Sequence, residues 1–137
     1  RFVPGRAETL REGGSVTVVA YGIMVKAALD AAETLSGDGI ECRVLNMATV
    51  KPVDEESLIR AARETGAIVT AEEHYVNGGL AAQVSRVVSG RAPVPMEYVA
   101  MQGYTESGTP EGLLAKYHLT AGDVELAVRK VIDRKSS

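Results

Sequence analysis

The sequence lacks most of what an aromatic or disulfide-stabilised core would need. Its 137 residues include one Phe, five Tyr, no Trp and a single Cys. One cysteine cannot close an internal disulfide, and no Cys/His pattern has the spacing of a zinc site. The scarcity of aromatic side chains argues against most stacking platforms for bases or sugars. The core is therefore expected to consist of Val, Ile, Leu and Ala, as in a parallel sheet covered by helices.

Positive charge and long apolar runs are also missing. The chain has 15 Lys and Arg against 18 Asp and Glu, which gives a net charge of −3. A nucleic-acid partner would require a basic surplus to displace counterions, so none is expected. No run approaches about 18 consecutive apolar residues, and no charged start precedes a short apolar run, so neither a membrane span nor a signal peptide is predicted. Together with the lone cysteine, these absences predict a cytoplasmic protein.

What the chain does contain is an alternation of strands and amphipathic helices. Val16 to Tyr21 is nearly continuous apolar and β-branched, which is typical of a strand buried on both faces. From Ile23 to Leu35 the apolar residues recur every three or four positions, which predicts a helix. Further strands are predicted over Ile40 to Met47, Ala67 to Ala71 and Pro95 to Met101. The alternation predicts an α/β fold with crossover helices on both faces of a largely parallel sheet.

Capping residues predict where the other helices begin. Asp54, Thr109 and Thr120 each stand before a helical pattern, so the C-terminal part is expected to form two helices. His118 would then lie at the end of the first of these, near the negative end of its dipole. At the other end of the chain, residues 1–6 are interpreted as the end of a linker, because Pro4 and Gly5 form a turn pair.

Three loops follow predicted strands at the carboxyl edge of the sheet, where open parallel sheets bind their ligands. They supply the candidate residues of a crevice or interface, which are Tyr21, Gly22, Glu72, Glu73, His74, Gly78, Gly79 and Ser107. The segment around His74 allows two interpretations. It is either a general acid/base pair or anion site on open backbone N–H groups of the next helix, or a turn whose charges are solvated or paired across a domain interface. The residue types favour the second.

Motifs with a defined chemistry do not occur in the sequence. There is no G-x-G-x-x-G, no Walker lysine loop and no G-x-S-x-G. Glu72, Glu73 and His74 are a poor zinc set, since the only other histidine is His118. Cys42 lies within a predicted strand and is interpreted as a small buried hydrophobe. The sequence by itself therefore discloses no catalytic constellation.

Short motifs occur in an order that resembles the transketolase C-terminal domain. They are Ser15 to Val25, Arg43 to Met47, Val50 to Asp54, Thr65 to Thr70, Glu72 to His74 with Gly78 to Leu80, Glu106 to Gly108 and Leu119 to Ala121. Each motif is weak alone, but the series extends from about Ala7 to Val131. We therefore interpret residues 7–137 as a domain of this family.

The resemblance implies a fold and a role. The fold would be a three-layer α/β/α structure with a five-stranded mixed sheet, whose first strand, Ala7 to Arg11, runs antiparallel. Family members transfer a two-carbon ketol unit between sugar phosphates, using thiamine diphosphate and Mg²⁺ held by the preceding domains. The C-terminal domain supports the dimer and supplies no accepted catalytic residue. The implied partners are the remaining transketolase domains or an N-terminal subunit, together with a second copy in a homodimer.

Two alternatives stay open at this point. Deoxyxylulose-phosphate synthase and the β subunit of 2-oxoacid dehydrogenases are relatives that share this domain. A free-standing α/β module could instead bind a small anion in the crevice formed by Glu73, His74 and Gly78.

Overall fold

The computed structural model describes residues 5–48, 53–73, 79–101 and 110–135, with the backbone alone described at 73, 101 and 110–120. Strands and helices alternate along the chain after an initial pair of strands. The strands are β1 (Glu8–Arg11), β2 (Val16–Ala20), β3 (Cys42–Asn46), β4 (Ile68–Glu73) and β5 (Met96–Met101). The helices are α1 (Met24–Ser36), α2 (Glu55–Thr65), α3 (Leu80–Arg91) and α4 (Pro110–Lys135).

The five strands form one mixed sheet in the order β1-β3-β2-β4-β5. Strand β1 is antiparallel to β3, and the other neighbours are parallel. Val18 of the central strand lies opposite Val44 on one side and Val69 on the other. The predicted five-stranded mixed sheet with an antiparallel first strand is therefore confirmed.

Successive residues of β2 point to opposite faces of the sheet, and this alternation builds two cores. Val18 packs in a cluster with residues of α1 and α4. Val19 packs in a second cluster with residues of α2 and α3, and both side chains are fully buried. Burial of each such aliphatic side chain stabilises the fold by about 1.5–3 kcal/mol. The two cores give the predicted three layers, with the sheet in the middle.

Helix α2 shows how local sequence sets an element's bounds. Asp54 is its N-cap, and the Asp54 side chain accepts a hydrogen bond from the N–H of Ser57. Gly66 ends the helix in the left-handed region at φ 74°, which an L side chain would adopt only with strain. Leu58 and Ala62 on its inner face are buried. The boundaries predicted from Asp54 and Gly66 are confirmed.

The C-terminal part differs from the prediction. Instead of two helices, α4 is one helix from Pro110 to Lys135, so the predicted start at Thr120 is wrong and His118 lies inside the helix. A Thr followed by an acidic residue is also compatible with a helix interior, and one Gly there costs only about 1 kcal/mol. Burial of Val124, Val128 and Val131 outweighs that cost. Within the described ranges, no helix is both long and apolar enough to cross a membrane.

The predicted linker end lies largely outside the described residues. Residues 1–4 are not among them, and Thr109, the predicted cap before Pro110, is not either. The division into a linker end at 1–6 and a domain at 7–137 stays a prediction.

Candidate functional site

The carboxyl edge of the sheet contains a reversal of strand order. From β2 the chain crosses to β3 on one side, and from β4 it crosses to β5 on the other. In open α/β sheets the crevice between two such strands is the usual place for a ligand. Tyr21 follows β2 directly, and its N–H donates to the carbonyl oxygen of Ala71 at 3.1 Å. The structure thus brings the loop after β2 against the end of β4.

Five of the predicted site residues are described and gather at this edge. Tyr21 and Gly22 follow β2, Glu72 and Glu73 end β4, and Gly79 precedes α3. The other three, His74, Gly78 and Ser107, lie outside the described residues.

Glu72 has a structural role that its position in the sequence does not reveal. Its side chain is 8% exposed and reaches the N-terminus of α3. Oε1 accepts from the N–H of Leu80 at 2.9 Å, and Oε2 accepts from the N–H of Ala81 at 2.8 Å. The N-cap position is Gly79, which has no side chain to do this. The carboxylate therefore caps α3, where the helix dipole also favours negative charge.

The cap by Glu72 affects the anion site that the sequence allowed at the start of α3. An anion at a helix N-terminus binds the free N–H groups of the first turn. The N–H groups of Leu80 and Ala81 are already occupied by Glu72. These two donors are therefore not open to an external anion.

Asp54 plays the same part at the N-terminus of α2. Its Oδ1 accepts from the N–H of Ser57 at 3.2 Å, and its Oδ2 accepts from Ser57 Oγ at 2.6 Å and from the N–H of Ala7 at 2.8 Å. Burial alone would raise the pKa of the Asp54 carboxyl. The hydrogen bonds from Ser57 and Ala7 and the charge of Arg6 outweigh burial and lower this pKa below its usual value. This carboxylate thus joins β1 to α2.

The N-terminus of α1 is different, because no side chain caps it. Its N-cap is Ile23, which is 50% exposed and follows Gly22 at φ 66°. Tyr21 beside it is half-buried and packs against the core under α2 and α3. This helix start therefore presents an apolar side chain where a polar cap is usual. The sequence analysis included Tyr21 and Gly22 but missed Ile23, whose signal was an apolar residue where a polar cap is usual.

The capped N-termini of α2 and α3 do not fit thiamine diphosphate or Mg²⁺. Mg²⁺ requires oxygen ligands, often carboxylates, and the diphosphate requires free N–H groups or cations. Both oxygens of Glu72 already accept from α3, and those of Asp54 accept from Ser57 of α2 and from Ala7. In the part of the chain that the structure describes, no three His, Cys, Asp or Glu residues are grouped closely enough to hold a metal ion.

The lone cysteine is not a nucleophile. Cys42 is fully buried in β3. Burial is the largest cause that raises the pKa of its thiol to about 11, with Arg11 opposing the rise and Glu41 adding to it. The thiol therefore stays protonated near neutral pH, and the interpretation of Cys42 as a small buried hydrophobe is confirmed.

Fold and edge together define a class of protein: a three-layer α/β domain with a mixed five-stranded sheet, whose helices α2 and α3 are capped by its own carboxylates. Within that class, a family model described as the C-terminal domain of transketolase matches residues 5–124. The chain belongs to this family, and the predicted resemblance is confirmed.

Comparison with known proteins gives the same family. The chain is 46% identical over 136 residues to the 6-deoxy-6-sulfo-D-fructose transketolase subunit SqwH of Clostridium sp. (strain MSTE9), covering 98% of this chain and 42% of the relative. It is 39% identical over 141 residues to 1-deoxy-D-xylulose-5-phosphate synthase of Heliobacterium modesticaldum, covering 97% of this chain and 21% of the relative. The chain thus spans less than half the length of these relatives.

A solved structure described as a split gene transketolase, an inactive beta4 tetramer, is also similar. Its TM-score is 0.87 at 50% identity, with 98% of this chain and 45% of that chain covered. Transketolase from Leishmania mexicana matches with a TM-score of 0.62 at 24% identity, covering 97% of this chain and 19% of that one, and shows the shared fold alone.

Proposed function

We propose that this chain serves as the non-catalytic C-terminal domain of a transketolase. The complete enzyme transfers a two-carbon ketol unit between sugar phosphates, and its other domains or an N-terminal subunit hold thiamine diphosphate and Mg²⁺. The observation that carries the proposal is the cap of α3 by Glu72, which occupies the N–H groups of Leu80 and Ala81 that a cofactor's anionic group would otherwise bind. The 46% identity to a transketolase subunit supports the reaction class.

The carboxyl edge is proposed as the surface that meets the remaining domains or subunit. It carries the exposed Ile23, which follows Tyr21 and Gly22 in the loop between β2 and α1. We assign the predicted residues Glu73, His74, Gly78, Gly79 and Ser107 to the same interface. An apolar side chain exposed at this edge fits a protein contact better than a small polar ligand.

We further propose that the chain self-associates, as in a homodimer. The similar split gene transketolase is described as a beta4 tetramer, which supports association between copies of a chain with this fold. The proposed location is the cytoplasm, since the single thiol, Cys42, is buried and unpaired.

Reconstitution tests the proposed reaction. The chain alone should give no ketol transfer and no heat when titrated with thiamine diphosphate and Mg²⁺. Mixed with an N-terminal transketolase subunit and both cofactors, it should support ketol transfer from fructose 6-phosphate or from 6-deoxy-6-sulfo-D-fructose. Tight cofactor binding by the chain alone would contradict the proposal. Formation of deoxyxylulose phosphate from pyruvate and glyceraldehyde 3-phosphate would instead show that the complete enzyme is a deoxyxylulose-phosphate synthase.

A matched pair of variants tests the proposed interface. Ile23→Asp places a charge on the carboxyl edge, whereas Leu10→Asp places one on β1, where Leu10 is 36% exposed. We expect Ile23→Asp to weaken binding of the N-terminal subunit at least about tenfold, and Leu10→Asp to leave it unchanged. Equal effects of the two variants would contradict an interface at the carboxyl edge.

A further inference from the structure

Strand β5 ends the sheet with an open row of backbone groups. Within the described residues β5 pairs with β4 alone. The N–H of Ile68 donates to the carbonyl oxygen of Pro95 at 3.1 Å, which sets the phase of the parallel ladder. Because alternate residues of a strand bond to the same neighbour, the N–H and C=O groups of Met96, Tyr98 and Ala100 point away from β4. Arg134 donates to the oxygen of Met96 at 2.6 Å, which leaves Tyr98 and Ala100 at the open row.

One large apolar side chain is exposed on each face of the sheet beside this row. Val99 packs in the core with α4, so its neighbour Tyr98 points to the opposite face, toward α3, and is 52% exposed. On the α4 side, Leu126 is 63% exposed and borders a groove of about 280 Å³ between β5 and α4. Two large exposed apolar side chains thus flank one edge strand, and an edge strand is the usual template for pairing with another strand.

The charges along this surface identify the occupant. Asp123, Leu126 and Lys130 line the groove in one row along α4, three and four residues apart. No ion pair joins Asp123 or Lys130 to another residue of the described ranges. A two-fold axis through Leu126 would run two copies of α4 antiparallel and bring Asp123 of each copy to Lys130 of the other. The row is therefore complementary to itself, as an isologous contact requires.

The same axis suits the strand. If this two-fold axis is perpendicular to the sheet and passes beside Tyr98, it places two copies of β5 next to each other as antiparallel strands. The outward N–H and C=O groups of Tyr98 in each copy then face those of the other, as in a hydrogen-bonded pair. The two Tyr98 rings become cross-strand neighbours on one face, and the two Leu126 side chains approach on the other.

We propose that β5 and α4 form the surface on which a second copy of this chain docks, through antiparallel β5–β5 pairing that joins two five-stranded sheets into one of ten strands. This inference rests on the self-association in the proposed function and names its surface. A strand from a different protein, such as an N-terminal subunit, would use the open row but would not use the self-complementary charges.

Charge reversal tests the pairing of Asp123 with Lys130. Asp123→Lys and Lys130→Asp should each weaken dimerisation at least about tenfold in sedimentation velocity, because like charges then meet twice across the axis. A mixture of the two single variants should dimerise like the wild type, since every contact again joins opposite charges. Circular dichroism of each variant is the control that both still fold. Failure of the mixture to recover dimers would overturn the antiparallel arrangement.

Cross-linking tests the position of the axis. Tyr98→Cys puts a thiol where the Cα atoms of the two copies would lie about 5.5 Å apart, within the range of a disulfide. Because Cys42 is buried, this thiol would be the only reactive one in the described residues. We expect rapid formation of a covalent dimer on oxidation, and none for the matched variant Leu10→Cys on β1. Equal cross-linking at both positions would overturn the proposal.

The results of these experiments distinguish failure of the proposed surface from failure of the proposed function. A wild-type chain that stays monomeric above about 100 µM contradicts both the self-association and this surface, while ketol transfer on reconstitution still tests the reaction. A wild-type chain that dimerises, but whose dimer is unaffected by both charge reversals, overturns the surface and leaves self-association standing.

Discussion

The two edges of the sheet are built in opposite ways. Strand β1 has four residues, and an irregular register between Thr9 and Arg11 bends it away from straight pairing. The N–H of Ala7 before it is bound by Asp54 of the α2 cap. Strand β5 has six residues and a regular register with β4 along its whole length. Arg134 covers only its first outward carbonyl group.

The difference shows how a small domain can close one edge and keep the other available. A short, bent strand with charged side chains is a poor template for another strand, whereas a longer regular strand with exposed apolar neighbours is a good one. Both edge strands pair with a neighbouring strand, but β1 is also held by the Asp54 side chain through Ala7, whereas β5 is also held by α4. Substitutions at the two edges should therefore have different consequences.

The largest expected effect is at the turn that leads from β1 to β2. A Cβ atom at Gly13 would lie 2.5 Å from the carbonyl oxygen of Glu41 and 2.5 Å from the carbonyl carbon of Cys42, so backbone must move. We expect Gly13→Ala to lower the free energy of unfolding by about 3 kcal/mol. Gly14→Ala is the matched control, because nothing lies within 4 Å of its Cβ. Urea denaturation measures both, and equal losses would contradict the close approach.

The next largest effect on stability is expected from Glu72, in the half of the sheet that contains β5. Glu72→Ala removes both acceptors from the N–H groups of Leu80 and Ala81 and should cost about 2 kcal/mol. Glu72→Gln keeps one acceptor oxygen and should cost less. As a control, Glu33→Ala removes an 83% exposed carboxylate and should change stability little. A Glu72→Gln loss as large as that of Glu72→Ala would show that burial, not capping, decides the effect.

The stabilisation that Asp54 provides, partly through its bond to Ala7 before β1, should depend on pH. Asp54→Asn should cost about 1 kcal/mol at pH 7, because the cap of α2 and the bond to Ala7 weaken. The folded-state pKa of Asp54 is lowered, so its stabilisation is complete above the unfolded-state pKa of about 3.9 and is lost as the pH falls through the folded-state value. The difference in urea midpoint between wild type and variant should therefore narrow below about pH 4. A constant difference down to pH 2 would contradict this role.

The smallest effect is expected from the charges that flank β1. Arg11 lies 3.7 Å from Glu33 and 4.0 Å from Glu41, and both carboxylates are largely exposed. Arg11→Gln should cost no more than about 0.5 kcal/mol, since water screens such pairs. If urea denaturation shows that the free energy of unfolding falls by more than about 1 kcal/mol, ion pairs stabilise β1 more than the hydrogen bonds of Asp54 do.

Most of the fold could be predicted because its signals are local. The apolar run at Val16 to Tyr21, the cap at Asp54 and the stop at Gly66 act within a few residues, so each is readable in the sequence. The helix start predicted at Thr120 is wrong because that prediction, too, rested on a local signal alone. A capping pattern states a preference, and packing of Val128 and its neighbours against the sheet is worth more than that preference.

The candidate site was predictable in place but not in arrangement. The carboxyl ends of parallel strands meet at one edge, so Tyr21, Gly22 and Glu72 could be assigned to it in advance. That Glu72 turns back onto α3 was not predictable, because its partners lie eight and nine residues further along the chain. The exposure of Ile23 was not predictable either, since it depends on what packs beside it.

By itself the sequence determined the α/β class, the apolar faces of the helices and the family, because these follow from the order and spacing of residue types. Only the tertiary structure decided that Glu72 caps α3, that Asp54 also binds the N–H of Ala7, and that Tyr98 and Leu126 flank an open edge. The physical reason is that a charge or an apolar side chain acquires its role from the groups that surround it. Those groups are brought together by sheet pairing and helix packing over distances that no local pattern specifies.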